Sequence, residues 1–443
     1  MSARRLFLQL VGLGLAGLLL AILAPANLAL AANWLQLFGN EPAAAPAFRP
    51  LLIFQPTYTH LDAEPVSGLR GPLASYNGQL SSLNSVLPDF DRSQQLQMLR
   101  ARIGARGKLS EQINYFALVE AGKNPMTSQQ DLVLSSLSLT FNHIPGARIR
   151  AGLFKLPTDE EALVAVNLAY PYTFFSAAVQ NLLIEQPLQA GARLSPSLTA
   201  ASASSGCNCF HDWGIQVYDW FQQGDWEWAY AAVLSNGNAI DSPSDDDGNK
   251  DLTLRLQASY VFAGEGPQRQ DLTAYVWRQE GDRRFAGADQ NRLREGLGLQ
   301  LNRNPLRLSA AYLRGEGMIS GGFNPPFAGE SLLVGANETA EGWYLEGGWR
   351  FHPRWELDLR RDRFDGMTRD PVNGRRLDTT TLGLQHRLNK RTRLSLNYEW
   401  RQMEVMYPQA FATTPSGQTQ LHNARTLADN LADRLSLQLS WTF

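Results

Sequence analysis

A chain of 443 residues with 40 Lys and Arg against 42 Asp and Glu has almost no net charge, so no global field draws it to nucleic acid. Two cysteines exclude a disulfide-rich scaffold, while 11 Trp, 13 Tyr and 20 Phe accompany a mildly hydrophilic composition. That combination fits a protein that meets lipid through alternating strands rather than continuous apolar runs.

Arg4 and Arg5 precede an uncharged apolar run from Leu6 to Leu23, and Ala29-Leu30-Ala31 reads as a small-residue cleavage site. This predicts a secretory signal peptide over 1–31, with the mature chain beginning at Ala32. The stretch Ala3 to Gln9 also approaches a twin-arginine signal, which would imply a soluble protein folded before export. It lacks Ser or Thr before the arginine pair, and its core is very apolar, so export of an unfolded chain is the preferred reading. Beyond it, no segment reaches the about 18 apolar residues that a spanning helix needs.

Residues 32–53 are assigned to an N-terminal periplasmic segment. After residue 95 the hydrophobic period is two almost throughout. Leu254, Leu256, Ala258, Tyr260 and Phe262 alternate with Thr253, Arg255, Gln257 and Ser259. The pattern recurs at Leu297, Leu299 and Leu301, at Leu382, Leu384 and Leu388, and at Leu394, Leu396, Tyr398 and Trp400. It ends with Leu435, Leu437, Leu439, Trp441 and the terminal Phe443, a strand that resembles the assembly signal of bacterial outer-membrane barrels. Segments of this kind begin near residues 54, 96, 113, 132, 147, 209, 226, 250, 271, 292, 306, 340, 355, 375, 392 and 434. Their length, about ten residues, suits a tilted membrane strand.

Connections alternate in length. Ile144-Pro145-Gly146, Asn304-Pro305, His352-Pro353 and Asn389-Lys390 are short, whereas 65–95, 156–208, 237–249, 319–339 and 405–433 are long. The predicted fold is therefore all-β: a transmembrane antiparallel β-barrel of about 16 strands over 54–443, with short periplasmic turns and long external loops. Two segments fit less well. Phe116 and Leu118 fall on the lumen face, and residues 271–285 can be read in either phase.

Strand parity places Arg100, Arg102, Arg106 and Lys108 inward, opposite Leu99, Ala101, Ile103 and Ala105. It also turns Arg148, Arg150, Arg255, Arg292, Arg294, Arg307, Arg387, Arg393 and Arg401 inward, with Glu356, Asp358, Asp362 and Glu399 as the main inward acids. These basic residues are the candidate pore-lining and anion-binding groups, since a row of guanidinium groups offers successive anion sites. In the bland reading they pair with loop carboxylates such as Asp159, Glu160 and Glu161. Parity also predicts that Leu297→Arg impairs assembly far more than Arg294→Leu.

Four short stretches carry a resemblance: Gly104-Ala105-Arg106-Gly107-Lys108-Leu109, Ile149 to Pro157, His211-Asp212-Trp213-Gly214-Ile215-Gln216, and Tyr230 to Gly237. In series they resemble the phosphate-selective porin O/P-like family of bacterial outer-membrane porins. The family often carries Arg where His211 stands, and its long amino-terminal coiled-coil extension is not evident. The resemblance implies a water-filled channel for small anionic solutes in the Gram-negative outer membrane, assembled as a homotrimer. It also implies that the third external loop, 156–208, folds into the lumen as a constriction. That loop contains the apolar stretch Tyr170 to Phe175 and a candidate short helix around Glu160 to Leu168.

No Gly-x-Ser-x-Gly, phosphate-loop or His-Glu-x-x-His motif is present, so no enzyme, cofactor or resident metal is expected. Two other classes stay open. One is a barrel that sheathes a periplasmic cytochrome partner in an electron conduit. The other is a soluble periplasmic metalloprotein using Cys207, Cys209 and His211. In an oxidising compartment Cys207 and Cys209 are more simply a strained disulfide at the root of the third loop. The run Asp245-Asp246-Asp247-Gly248-Asn249 is either a calcium loop or a solvated tip.

Overall fold

The computed structural model describes residues 40–443, except 42–44, 82–92, 125–126, 128–131, 165–169, 185–187, 204–209, 239, 241–244, 246, 265–268, 324–326 and 328–329. The predicted signal peptide and the Cys207–Cys209 pair lie outside the described residues.

The strands in chain order are β1 (Arg49–Leu61), β2 (Gln94–Lys108), β3 (Ile113–Ala121), β4 (Leu132–Phe141), β5 (Arg148–Lys155), β6 (Leu188–Arg193) and β7 (Leu198–Ala203). They continue as β8 (His211–Gln223), β9 (Trp226–Ser235), β10 (Asp251–Ala263), β11 (Gln270–Phe285), β12 (Ala288–Arg303), β13 (Leu306–Glu316), β14 (Ile319–Phe323) and β15 (Leu332–Gly335). The last are β16 (Thr339–His352), β17 (Trp355–Gly366), β18 (Arg375–Asn389), β19 (Thr392–Val405) and β20 (Arg434–Thr442). Among the described residues, three α-helices interrupt them: α1 (Glu160–Leu163), α2 (Ala177–Leu183) and α3 (Pro415–Asp429).

Sixteen strands form one closed antiparallel barrel, and β14-β15-β7-β6 form a separate small sheet from two external loops. Closure leaves the wall without a free sheet edge, which a lipid environment demands. Phe443 completes the seam, its N–H donating to Leu52 O at 2.9 Å while Leu52 N donates back at 3.1 Å.

The two faces differ as the alternation requires. Leu256, Leu297 and Leu359 are 63%, 50% and 54% exposed on the outer wall, whereas the inward Arg255, Arg294 and Arg360 are each 1% exposed. Leu256, Val276, Leu297 and Tyr312 lie side by side across β10 to β13. Outward aromatics cluster beside the turns, as in Trp226 against Trp228 and Tyr260, and Trp349 against Phe351. This band of outward leucines edged by aromatics is the surface that a lipid-facing barrel wall requires. Toward the external end, outward charges take over: Arg278, Glu295 and Arg314 occupy one row and pair with one another.

Several details differ from the sequence expectations. The first strand starts at Arg49 rather than at 54. Loop alternation is incomplete, because β11 and β12 form a tall hairpin closed externally by Ala286 and Gly287 alone. Their φ values of 53° and 80° are the left-handed pair that a two-residue hairpin turn uses. The ambiguous 271–285 segment takes the phase with Thr273, Tyr275, Trp277 and Gln279 inward. Gly296 and Gly298 on β12 leave room for these rings: a Cβ at Gly298 would lie 2.2 Å from the Tyr275 hydroxyl oxygen. Phe116 and Leu118 do face the lumen, and the Arg106 guanidinium lies 5.6 Å from the Phe116 ring centre.

The three later resembling stretches meet on adjacent strands. Gly152 of β5 lies opposite Gly214 of β8, which lies opposite Ser235 of β9. Asp212 accepts from Gly237 N at 2.6 Å, tying the start of the fourth external loop to β8. These motifs build a wall junction. In that loop, Lys250 bonds to Asp245 and holds its carboxyl below the usual range, so part of the acidic run is already neutralised.

Candidate functional site

The third external loop enters the barrel, and its polar groups explain how. Asp159 caps α1 by accepting from Glu161 N at 2.9 Å. The same carboxylate accepts from the hydroxyls of Tyr275 and Tyr344, 2.9 Å each, on the facing wall. Glu160 takes a 2.5 Å bond from Arg255. Glu161 accepts from Ser176 N at 2.6 Å, from the Tyr170 hydroxyl, and from Arg360 at 3.2 Å. Lys155 donates to Ala162 O at 2.8 Å, at the carbonyl end of α1.

The apolar stretch Tyr170 to Phe175, which would be costly in water, lies between arginines. Arg393 donates to Tyr170 O at 2.5 Å, Arg360 lies 4.4 Å from the Tyr172 ring centre, and Arg434 lies 3.7 Å from that of Phe174. Such stacked pairs contribute about 2 kcal/mol where water is excluded. Thr173 donates through N–H and hydroxyl to Asn397 Oδ1, 2.9 Å each.

Helix α2 then lies on an inner wall with small residues cut to fit it. Ala178, Val179, Leu182 and Leu183 pack with Trp277, Leu313, Ala340, Tyr344 and Phe364. A Cβ at Gly315 would come within 2.7 Å of the Leu182 side chain, and one at Gly342 within 2.7 Å of Ala178 Cβ. Arg294 secures the far end, donating to Leu182 O at 3.0 Å and to Gly317 O and Met318 O at 2.9 Å each. Gly315→Val is therefore expected to leave the barrel intact, with unchanged heat-modifiable migration, while releasing α2 so that proteases cut the loop.

All thirteen basic residues singled out by parity lie on the inward face, and the structure assigns them different surroundings. Arg102, Arg148 and Arg307 make ion pairs with Glu120, Asp219 and Asp358 at 2.6, 2.7 and 2.6 Å. Arg106 pairs with Glu41, Arg292 lies 3.6 Å from Asp251, and Arg387 lies 3.7 Å from Glu356. Arg255, Arg294 and Arg393 hold the third loop, as described. Lys108 stands opposite Asn114 at the periplasmic end of β2, and Arg401 lines the outer side of the loop. Arg100 and Arg150 meet neutral partners, Gln55 at 3.1 Å and Ser138 at 3.0 Å.

The inward acids behave as parity expects: Glu356 pairs with Arg350 at 3.0 Å, Asp362 with Arg360 at 3.2 Å, and Glu399 with Arg434. Arg360 and Arg434, central to the loop's anchorage, are the residues that sequence reasoning missed. Arg360 shares the parity of the recognised Glu356, Asp358 and Asp362, so the same alternation could have found it.

Basic groups also line up across neighbouring strands. Arg387 of β18 faces Arg393 of β19, which faces Ser440 of β20. Ser440 accepts from Gln55 of β1 at 3.0 Å, and Gln55 in turn accepts from Arg100 of β2.

No family model matches the chain, and no curated protein matches it. Among solved structures, the anion-selective porin from Comamonas acidovorans matches with a TM-score of 0.51 at 14% identity, over 89% of this chain and 99% of that one. The Salmonella typhi OmpF complex with daunomycin matches with a TM-score of 0.50 at 9% identity, over 89% of this chain and 97% of that one. The chain has the sixteen-strand barrel fold of the bacterial outer-membrane porins.

Proposed function

We propose that the chain is an outer-membrane diffusion channel for small hydrophilic solutes, with a preference for anions that extends to phosphate. The observation that carries the preference is the lane Arg387–Arg393–Ser440–Gln55–Arg100, a run across five adjacent strands in which three guanidinium groups are joined by the neutral side chains of Ser440 and Gln55. Ligands of this kind attract an anion at each step without a deep well that would trap it. Arg150, met by Ser138 and stacked 4.9 Å from the Phe154 ring centre, adds a further such group on β5. The anion-selective Comamonas porin, similar in fold, supports the same reading. Assembly as a homotrimer belongs to this proposal.

The sheath alternative is weaker. A barrel that encloses a cytochrome needs an open bore, and here the third loop is bonded across the lumen to β10, β11, β16, β17 and β19.

Reversal potentials in asymmetric potassium chloride test the proposal. The wild-type pore is expected to favour chloride, and Arg100→Glu with Arg150→Glu is expected to shift the potential toward potassium. A cation-selective wild-type pore, or a potential unmoved by both substitutions, would overturn the anion preference. Competition by phosphate then tests the narrower specificity.

A further inference from the structure

On the external side of the third loop lies a cavity of about 170 Å³, walled by α2, α3 and the upper inner faces of β17 to β19. Its lining is divided. Phe175, Leu333, Phe364, Leu377, Met403 and Leu427 make an apolar wall. Four arginines, Arg360, Arg375, Arg401 and Arg434, stand among the lining residues against two carboxylates, Asp362 and Glu399.

Both carboxylates are engaged. Glu399 bonds to Arg434 and lies 3.7 Å from Arg360, while Asp362 lies 3.2 Å from Arg360 and accepts from Ala177 N at 2.8 Å. Arg375 donates to the neutral carbonyls of Val372 and Gly374, at 2.8 and 2.9 Å. With Glu161, which pairs with Arg360 at 3.2 Å from behind the lining, four arginines meet three carboxylates, so one positive charge is left over in a walled space, where a compensating anion has most effect.

The roof is built rather than incidental. Asn423 of α3 accepts from Arg70 N at 2.9 Å and donates to Arg70 O at 3.0 Å, fixing the helix to the first external loop. Leu427 packs with Val66, Leu69 and Phe327.

We propose that this vestibule binds small amphipathic carboxylates of about benzoate size, the carboxylate toward Arg375 and Arg401 and the hydrocarbon against Phe364, Leu377, Met403 and Leu427. Inorganic phosphate has no apolar surface to meet that wall, and a cavity of about 150 Å³ is known to hold a benzene ring. Such a solute would be captured here before reaching the loop, a role that rests on the channel reading above.

The test separates binding from conduction. Folded protein in detergent is titrated with benzoate, acetate and inorganic phosphate by equilibrium dialysis, and conductance is measured on the same preparation in bilayers. Benzoate is expected to bind at least about tenfold more tightly than acetate. Leu377→Asn is expected to erase most of that margin while leaving phosphate unchanged, and Arg375→Gln to weaken benzoate and acetate alike. Equal binding of benzoate and acetate, or a margin that survives Leu377→Asn, would overturn the site. Heat-modifiable migration confirms that each variant is folded, and Leu377→Asn suffices if Arg375→Gln is not. Benzoate binding without conductance supports the site and sinks the channel. Conductance without a benzoate margin does the reverse.

Discussion

Leu299→Arg is expected to block assembly of the barrel. Leu299 is 43% exposed on the outer wall, in a row with Ala274 and Ala310, two positions below the external charges on β12 and its neighbours. An arginine on the lipid-facing side at mid-membrane costs about 2 to 4 kcal/mol, with no neighbour there to pair it. Leu297→Arg is expected to be milder than alternation alone implies. It lies one outward position from Glu295, which sits among Arg278 and Arg314, so a long side chain can reach the polar rim. Heat-modifiable migration of the folded species gives the readout. Equal folding of Leu299→Arg and wild type would refute the assigned face. Arg294→Leu should still assemble, but it removes the donor to Leu182, Gly317 and Met318, so it is expected to loosen the loop rather than merely to empty a pore-lining site.

The second large effect is expected from Arg360→Gln. That guanidinium touches Glu161, Asp362 and Glu399, donates to the Tyr170 hydroxyl at 2.8 Å and to Phe174 O at 3.2 Å, and covers Tyr172. Its loss leaves carboxylates with too few partners in a tight space, a change that typically costs about 3 to 5 kcal/mol. The barrel wall does not depend on this network, whereas the loop does. The expected result is a folded barrel whose third loop swings free, with single-channel conductance raised and noisier, and protease cleavage between α1 and α2. Unchanged conductance and an uncut loop would show that the remaining anchors, Asp159 on Tyr275 and Tyr344 foremost, suffice alone.

Particular residues show how far the sequence carries. The run Leu254, Leu256, Ala258 and Tyr260 against Arg255, Gln257 and Ser259 determines a strand and both its faces, because successive side chains of a strand point oppositely. The number of wall strands, the closing Phe443 and the inward side of all thirteen basic residues follow from that local rule, whereas the starts of β1 and β12 do not. Tyr275 marks where the rule runs out. An aromatic on β11 suits lipid or lumen equally in sequence; its inward side is fixed by the pairing of β11 with β10 and β12, and there its hydroxyl meets Asp159, more than a hundred positions away. The same holds for Arg360, whose parity was legible but whose role was not. Local alternation decides which way a side chain points. What it meets there depends on which loop folds back across the lumen, and that contact between distant segments exists only in the tertiary structure.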